Sequence, residues 1–402
     1  MPATMTTLSA VLKERYEGRL GKSLNDDVVA LRRVEKTSKG VVTTELGGKY
    51  AVFAIHTRRN SGIGARNEGE ALPNPGQQGT ASGRVGLKYQ YGAIELNGQV
   101  FELANSAPQA FIDAVDLEVD GIKTDLAKDL NRQVYGDGTG TVAVASAITT
   151  AGNTFTSTNV QYVQLDMMVD LCSSAGAVIA ADRKVTAINE DTGVVTLDGA
   201  TFNVAVGNIL TRTGNYDKEW TGLGKIVANT GTLYNIDPTV EPVWKAVIDE
   251  NGGTNRALSE LVMISLYNKI RKNGGKTSVI LTSYGVWTSY FALLSQQRQF
   301  VNTKEFTGGF TGLAFTTETG EIPVVQDFDA PPNTMHFLNE SEIQLRRTHD
   351  WQFMNRDGNM WQRKITSSGR FDAYEATLFQ YSELSTKRRN THGKIEDLTE
   401  VI

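Results

Sequence analysis

The sequence predicts an α+β fold assembled from more than one domain, and three observations predict it. Helix-type and strand-type runs follow one another without a regular β–α repeat. One helical run, residues 107–134, far exceeds the usual three or four turns. The last third of the chain is a series of short strand-type segments separated by turn residues. With 402 residues, 40% hydrophobic and 21% charged, the composition is that of a folded globular protein.

Charge and cysteine usage narrow the function classes. The net charge of −5 argues against sequence-independent nucleic-acid binding, which needs clustered Lys and Arg. The single cysteine, Cys172, excludes an intrachain disulfide and fits a reducing compartment. No stretch approaches the roughly 20 apolar residues of a membrane span. Ala10, Val11 and Leu12 run straight into Lys13, Glu14 and Arg15, which is no signal peptide. A soluble chain made inside the cell is expected.

Leu8, Val11, Leu12, Tyr16 and Leu20 recur at helical spacing and predict a first amphipathic helix. A short helix over 26–36 follows, with Asn25 as its cap. Residues 49–58 have strand composition, and 83–96 alternate, with Val85, Leu87, Tyr89, Tyr91 and Ala93 on one side. Between them, Arg59 to Ser82 holds five glycines, Pro73, Pro75 and only two large aliphatics, Ile63 and Leu72. A loop of that length is uncommon in a compact domain unless it has a function. Two strands flanking it make a long hairpin arm, and a lone two-stranded ribbon is marginal in water. Such an arm needs another surface to lie on; a disordered surface loop is the other reading of the same pattern.

Ser106 and Pro108 open the long helix, whose Phe111, Val115, Val119, Ile122, Leu126, Leu130 and Val134 form a narrow stripe. Gly136-Asp137-Gly138 stops it, and Gly136–Gly140 reads as a flexible joint. Residues 160–172 carry helix-type spacing. Residues 184–188 and 194–197 flank Asn189–Gly193 as a hairpin within a small β-rich insertion. A helix over 257–272, a buried strand over 278–282 and a helix over 284–297 come next, then strands over 322–328, 335–338 and 343–347. A second hairpin is expected around 355–358, a closing strand over 371–384, and a polar, mobile tail from Lys387.

The residues that carry chemistry elsewhere do not assemble into a motif here. Gly275-Lys276-Thr277 lacks the upstream glycine of a phosphate loop, since Ile270 stands there, and it precedes a strand. Gly136, Gly138 and Gly140 follow a helix, so they make no dinucleotide fingerprint. His56, His336, His349 and His392 have no zinc spacing. His349-Asp350 has no nucleophile elbow to serve, and Lys387-Arg388-Arg389 is the kind of short basic run that is normally solvated. No catalytic, cofactor-binding or metal-binding residue is assigned. The charged groups on the otherwise bland arm, Arg59, Arg66, Glu68, Glu70 and Arg84, are the candidates for contacts between subunits.

The order of elements resembles the major capsid protein of tailed bacteriophages, with its Hong Kong 97-like fold. Residues 49–96 resemble that family's extended loop and 107–134 its spine helix. SVILTSYGVWTSYFALLSQQ resembles the strand–helix passage of its axial domain, and GLAFTTETGEIPVVQDFDAPPNTMHFLNESEIQL its return to the peripheral domain. The resemblance implies an N-terminal arm (1–46), an extended β-hairpin loop (47–98) and a peripheral domain with the spine helix (99–136). An axial domain (137–332), with a β-rich insertion near 184–213, and a C-terminal return (333–402) would complete it. It implies a self-assembling shell subunit forming pentamers and hexamers around double-stranded DNA, in a virion assembled in the host cytoplasm. Portal, separate scaffolding and decoration proteins are the implied partners, and no membrane or enzyme activity. Relatives that weld their subunits use a lysine on the loop; Arg59 to Gly83 has none, so a non-covalent shell is expected. An encapsulin-like cargo shell and a tail-associated or extracellular β-rich binding protein are the alternatives.

Overall fold

A computed structural model describes residues 27–38, 50–99, 108–297, 314–318, 320–355, 358–366 and 369–401. The expected first helix, the caps Asn25 and Ser106 and the glycines at 308, 309 and 312 lie outside the described residues.

Helix α1 (Val29–Thr37) turns Ala30, Leu31 and Val34 inward. The N-cap residue before it, Val28, supplies no side-chain cap. Distant side chains take the orphan donors of the first turn instead: Ala30 N donates to Asp327 Oδ2 at 2.9 Å and Leu31 N to Asn131 Oδ1 at 2.9 Å. Strands β1 (Tyr50–Arg58) and β2 (Gly79–Gly86) pair antiparallel as a sheet of two. The expected strand over 83–96 is divided. It breaks at Leu87, and β3 (Lys88–Asn97) leaves the ribbon for another sheet. Side-chain parity flips at that break: Val85 is buried, but so are Gly92 and Ile94, while Tyr89, Tyr91 and Ala93 are exposed. Helix α2 (Pro108–Tyr135) runs 28 residues, about 42 Å at 1.5 Å per residue. It lies on β3 where Gly92 has no side chain; a Cβ there would sit 2.6 Å from Leu126.

The chain after α2 builds a unit of strands: β4 (Thr141–Val144), β5 (Thr149–Gly152), β6 (Thr154–Thr156), β7 (Met168–Cys172), β8 (Val178–Asn189), β9 (Val194–Leu197), β10 (Phe202–Val204) and β11 (Ile209–Arg212). Six run in the order β4-β11-β7-β8-β9-β6. A bridge between Ala145 and Ser157 joins the two outer strands, so the sheet closes into a small barrel, with β5 and β10 paired beside it. The β-rich region thus begins well before residue 184. The helix expected over 160–172 is absent. Val163 N to Val160 O and Met167 N to Gln164 O are isolated turn bonds, followed by β7. The helix-like spacing arose because Val160, Val163 and Met167 fill one end of the barrel core from turns.

Beyond the short α3 (Leu223–Ile226) come β12 (Val247–Asp249), α4 (Glu260–Lys272), β13 (Val279–Thr282), α5 (Tyr284–Gln297), β14 (Ala314–Thr317), β15 (Gly320–Gln326) and β16 (Met335–Leu338). A five-stranded sheet then forms from β3 together with β17 (Ile343–Arg347), β18 (Gln352–Phe353), β19 (Gln362–Thr366) and the 18-residue β20 (Gly369–Thr386). Strand β20 pairs along one edge with β3, and along the other with β17, β18 and β19 in turn. The hairpin expected around 355–358 is therefore not one: β18 and β19 each pair with β20 and not with each other. A strand that long can serve three short partners end to end.

The tail is not mobile. Strand β21 (Gly393–Ile395) inserts between β12, which it pairs in parallel, and β16, which it pairs antiparallel. It completes a six-stranded sheet, β12-β21-β16-β13-β15-β14. Ile395 and Leu398 are fully buried. Three apolar cores result among the described residues. One joins α1, the arm root, α2, α3 and one face of this six-stranded sheet. Another fills the barrel, and the third lies between α4, α5 and the other face of the same sheet.

Candidate assembly surfaces

The arm is satisfied within its own molecule only at its root. Ala51, Phe53 and Val85 point from β1 and β2 into the first core. The Phe53 ring meets Tyr234 edge-on at 6.1 Å and Trp244 at 6.4 Å. Gly83 makes room for it, since a Cβ there would fall 2.4 Å from the ring. Arg84 N donates to Tyr234 O at 2.9 Å, and Arg58 pairs with Glu241 at 3.0 Å. Past Arg58 the chain leaves the body. Ile63 and Leu72 are 82% and 83% exposed, and Tyr50 and Val52 face solvent from the other side of β1.

The tip keeps its shape through its own bonds. Asn60 Nδ2 donates to Gly76 O at 3.0 Å, and Gly62 N donates back to Asn60 Oδ1 at 2.7 Å. Arg66 donates to the carbonyls of Ala71 and Ala65, both at 2.8 Å. Glu70 accepts from Asn67 N at 3.0 Å and Asn67 Nδ2 at 2.8 Å, and those bonds pull its pKa down. Of the five charged candidates, Arg66 and Glu70 are thus engaged inside the tip. Arg59, Glu68 and Arg84 are exposed and form no side-chain hydrogen bond or ion pair among the described residues. The lysine at the arm's base, Lys88, donates to Asp217 O at 2.7 Å.

Two buried polar networks on the last turns of α2 hold the domains in register. In the first, Asn131 Nδ2 bonds Asp327 at 3.0 Å and Asp329 at 2.6 Å, Tyr135 donates to Asp327 at 3.1 Å, and Lys128 pairs with Asp329 at 3.1 Å. Burial raises the Asp329 pKa, an effect that Asn131 and Lys128 offset in part. In the second, Arg132 lies between Asp129 at 3.1 Å and Glu219 at 2.6 Å, and Arg212 reaches Asp129 at 3.1 Å. Burial alone would raise the Asp129 pKa, but Arg132 and Arg212 outweigh it and hold it below the carboxylate norm. Removing either carboxylate partner of the buried Arg132 would leave its charge undercompensated, which is strongly destabilising.

One sequence expectation changes here. The basic run at 387–389 is not simply solvated. Arg389 is fully buried and donates to the carbonyls of Lys225, Ile226, Thr230 and Gly231 at 2.8 to 3.2 Å. His336 on β16 and His392 just before β21 are buried, and burial pushes the pKa of each down to about 3. Asn339 N donates to His392 Nδ1 at 3.3 Å, and Thr386 Oγ1 lies 3.2 Å from its Nε2. His349 meets the Phe379 ring edge-on at 4.8 Å, while Asp350 pairs with Arg347 at 2.7 Å, so the two form no triad. Nothing local in the sequence marks Arg389 as an internal staple; its partners lie more than 150 residues away.

The described residues hold no cluster of His, Cys, Asp or Glu able to bind a metal. No helix among them is long and apolar enough to cross a membrane.

Comparison with known proteins agrees with this geometry. The chain is similar to a subunit of the cyanophage A-1(L) capsid asymmetric unit, with a TM-score of 0.64 at 15% identity, covering 99% of this chain and 100% of that one. It also resembles the capsid of a native GTA particle, with a TM-score of 0.53 at 8% identity over 99% and 100% of the two chains. Those likenesses carry the fold, which is Hong Kong 97-like. No curated protein matches the sequence. Residues 105–399, which take in α2 and every later element, match the family model of the SU10 major capsid protein. This chain belongs to the SU10 major capsid protein family and is a shell subunit of a bacteriophage capsid.

Proposed function

We propose that the subunit assembles through pentamers and hexamers into a closed, non-covalently held icosahedral shell around double-stranded DNA. Each arm lies over the next subunit. The observation that carries this is the arm itself: its root is packed, yet its tip exposes Ile63 and Leu72 far from any core of the same chain. Arg59 and Glu68 beyond β1 and Arg84 at the root await partners, and Arg66 and Glu70 hold the tip in a defined shape. The absence of lysine between Arg59 and Gly83 supports the non-covalent reading. Each contact is modest, but a subunit held by several neighbours at once gains through effective concentration. Association of this kind is heterologous and closes into rings. The acidic balance of the chain favours an inner wall that packaged DNA does not adhere to. Portal, separate scaffolding and decoration proteins are the further partners in this reading, with assembly in the host cytoplasm and no enzymatic step. Its working divisions are 1–46, 47–98, 99–136, 137–332 and 333–402, although β3 of the second pairs with β20 and β16 and β21 of the last share a sheet with strands of the fourth.

Deleting residues 62–78 tests the role of the arm. The expected product is a folded subunit, by circular dichroism and thermal melting, that yields no shells by negative-stain microscopy. Intact shells from that deletion would overturn the arm's role.

A further inference from the structure

We infer that the β4–β11 barrel is a separate rigid module carried on a two-strand joint, and that the Arg212–Asp129 ion pair with the Tyr162–Asp329 hydrogen bond is the latch that holds it against the body. The inference goes beyond the shell reading and does not depend on it.

Four observations carry it. The barrel's sheet closes on itself: Ala145 bridges Ser157, and Ser146 N donates to Thr156 O at 2.9 Å, so its outer strands satisfy each other. Its core is complete in itself, and none of its buried residues belongs to either of the other two cores. The chain enters on β4 and leaves on β11, which are paired neighbours with Thr211 opposite Thr141. Both connectors carry glycines in the left-handed region, Gly138 at φ 91° and Gly140 at φ 80° on one side, Gly214 at φ 72° on the other. Such positions accept backbone rotation that a side chain would resist.

What faces the barrel across the joint is a cleft and not a packed seam. About 500 Å³ of open space separates Tyr135 and Pro331 of the body from Thr141, Asn159 and Tyr216. The side-chain bonds across it are polar. Tyr162, which packs on the barrel core, donates its hydroxyl to Asp329 O at 2.8 Å, and Arg212 of β11 reaches Asp129 at 3.1 Å. A polar junction around a void is the kind that permits relative domain motion. The cleft leaves room for the barrel to tilt once those two bonds part. The latch is also separable from the body's stability: without Arg212, Asp129 keeps Arg132 at 3.1 Å and Gln133 at 2.8 Å.

Hydrogen exchange on the full-length, unassembled subunit tests this with Arg212→Ala, Tyr162→Phe and the double variant. Expected is at least tenfold faster exchange in connector peptides spanning 136–141 and 213–218, with β7, β8 and β9 protected as in the wild type. Loss of protection through β7–β9 in the double variant would show that these bonds belong to the barrel's own fold, and would overturn the inference. No change anywhere in the double variant would overturn the latch. A barrel-core variant, Phe155→Ala, supplies the converse. Its faster exchange is expected throughout the barrel while β13, β16 and β20 hold, and loss of protection in all three of those strands would refute modularity.

Discussion

The buried histidine His336 makes stability depend on pH in a direction and by an amount that can be worked out. It lies on β16 with its ring 5.9 Å from Tyr135, and its Nδ1 has no partner. Burial, with a smaller push from Lys394, lowers its pKa from 6.5 to about 3. A lowered pKa in a base means that the unfolded chain takes up a proton below pH 6.5 while the folded chain does not. Stability is unaffected above that value and falls as pH drops below it. One pKa unit is about 1.4 kcal/mol, so at pH 5 the cost is about 2 kcal/mol. Glu383 works the other way: burial raises its pKa to about 8, so the folded state gains relative stability as pH falls from 8 toward 4.5. The raw wild-type profile therefore mixes opposing contributions, and a difference between variants isolates the histidine. Urea unfolding of wild type and His336→Leu at pH 7 and pH 5 should show the variant losing about 2 kcal/mol less across that interval. Identical pH dependence in the two proteins would refute the assignment of a neutral, buried imidazole.

Three further outcomes are expected. Gly83→Ala places a Cβ 2.4 Å from the Phe53 ring and should cost roughly 1–3 kcal/mol as an overpacked site. Hydrogen exchange would locate the damage at the arm root, in β1 and β2. Arg389→Ala strands four carbonyls that the guanidinium now serves and should cost about 3 kcal/mol or more in urea unfolding, with Arg389→Lys recovering only part of it. The double change Ile63→Ser with Leu72→Ser alters exposed positions, so subunit stability should move by less than about 0.5 kcal/mol; light scattering should nonetheless show a raised threshold concentration for shell assembly.

Legibility in the sequence followed the range of the interaction. The strands Met335–Leu338 and Ile343–Arg347 and the helix ending at Tyr135 lie where local pattern puts them, because apolar spacing reports which face of a segment is buried. The turn at Asn189–Gly193 was equally readable, with Thr192 N bonded to Asn189 Oδ1 at 3.0 Å. Residues 160–172 misled for the same reason: Val160, Val163 and Met167 have helical spacing, but turns deliver them to a barrel. Of the arm's charged residues, the sequence marks all five as unusual, yet only coordinates separate Arg66 and Glu70, spent on the tip, from Arg59, Glu68 and Arg84.

Taken alone, the amino-acid order determined the long helix, the projecting glycine-rich arm, its lack of lysine and the run of short strands, since each is a property of neighbours along the chain. Tertiary structure alone decided that β3 abandons the ribbon for β20, that six strands close into a barrel, and that the C-terminal segment is interior, with Arg389 and His392 sealed inside. Strand pairing and burial depend on partners up to hundreds of residues distant, and a pattern of period two or 3.6 carries no record of which partner a face will meet.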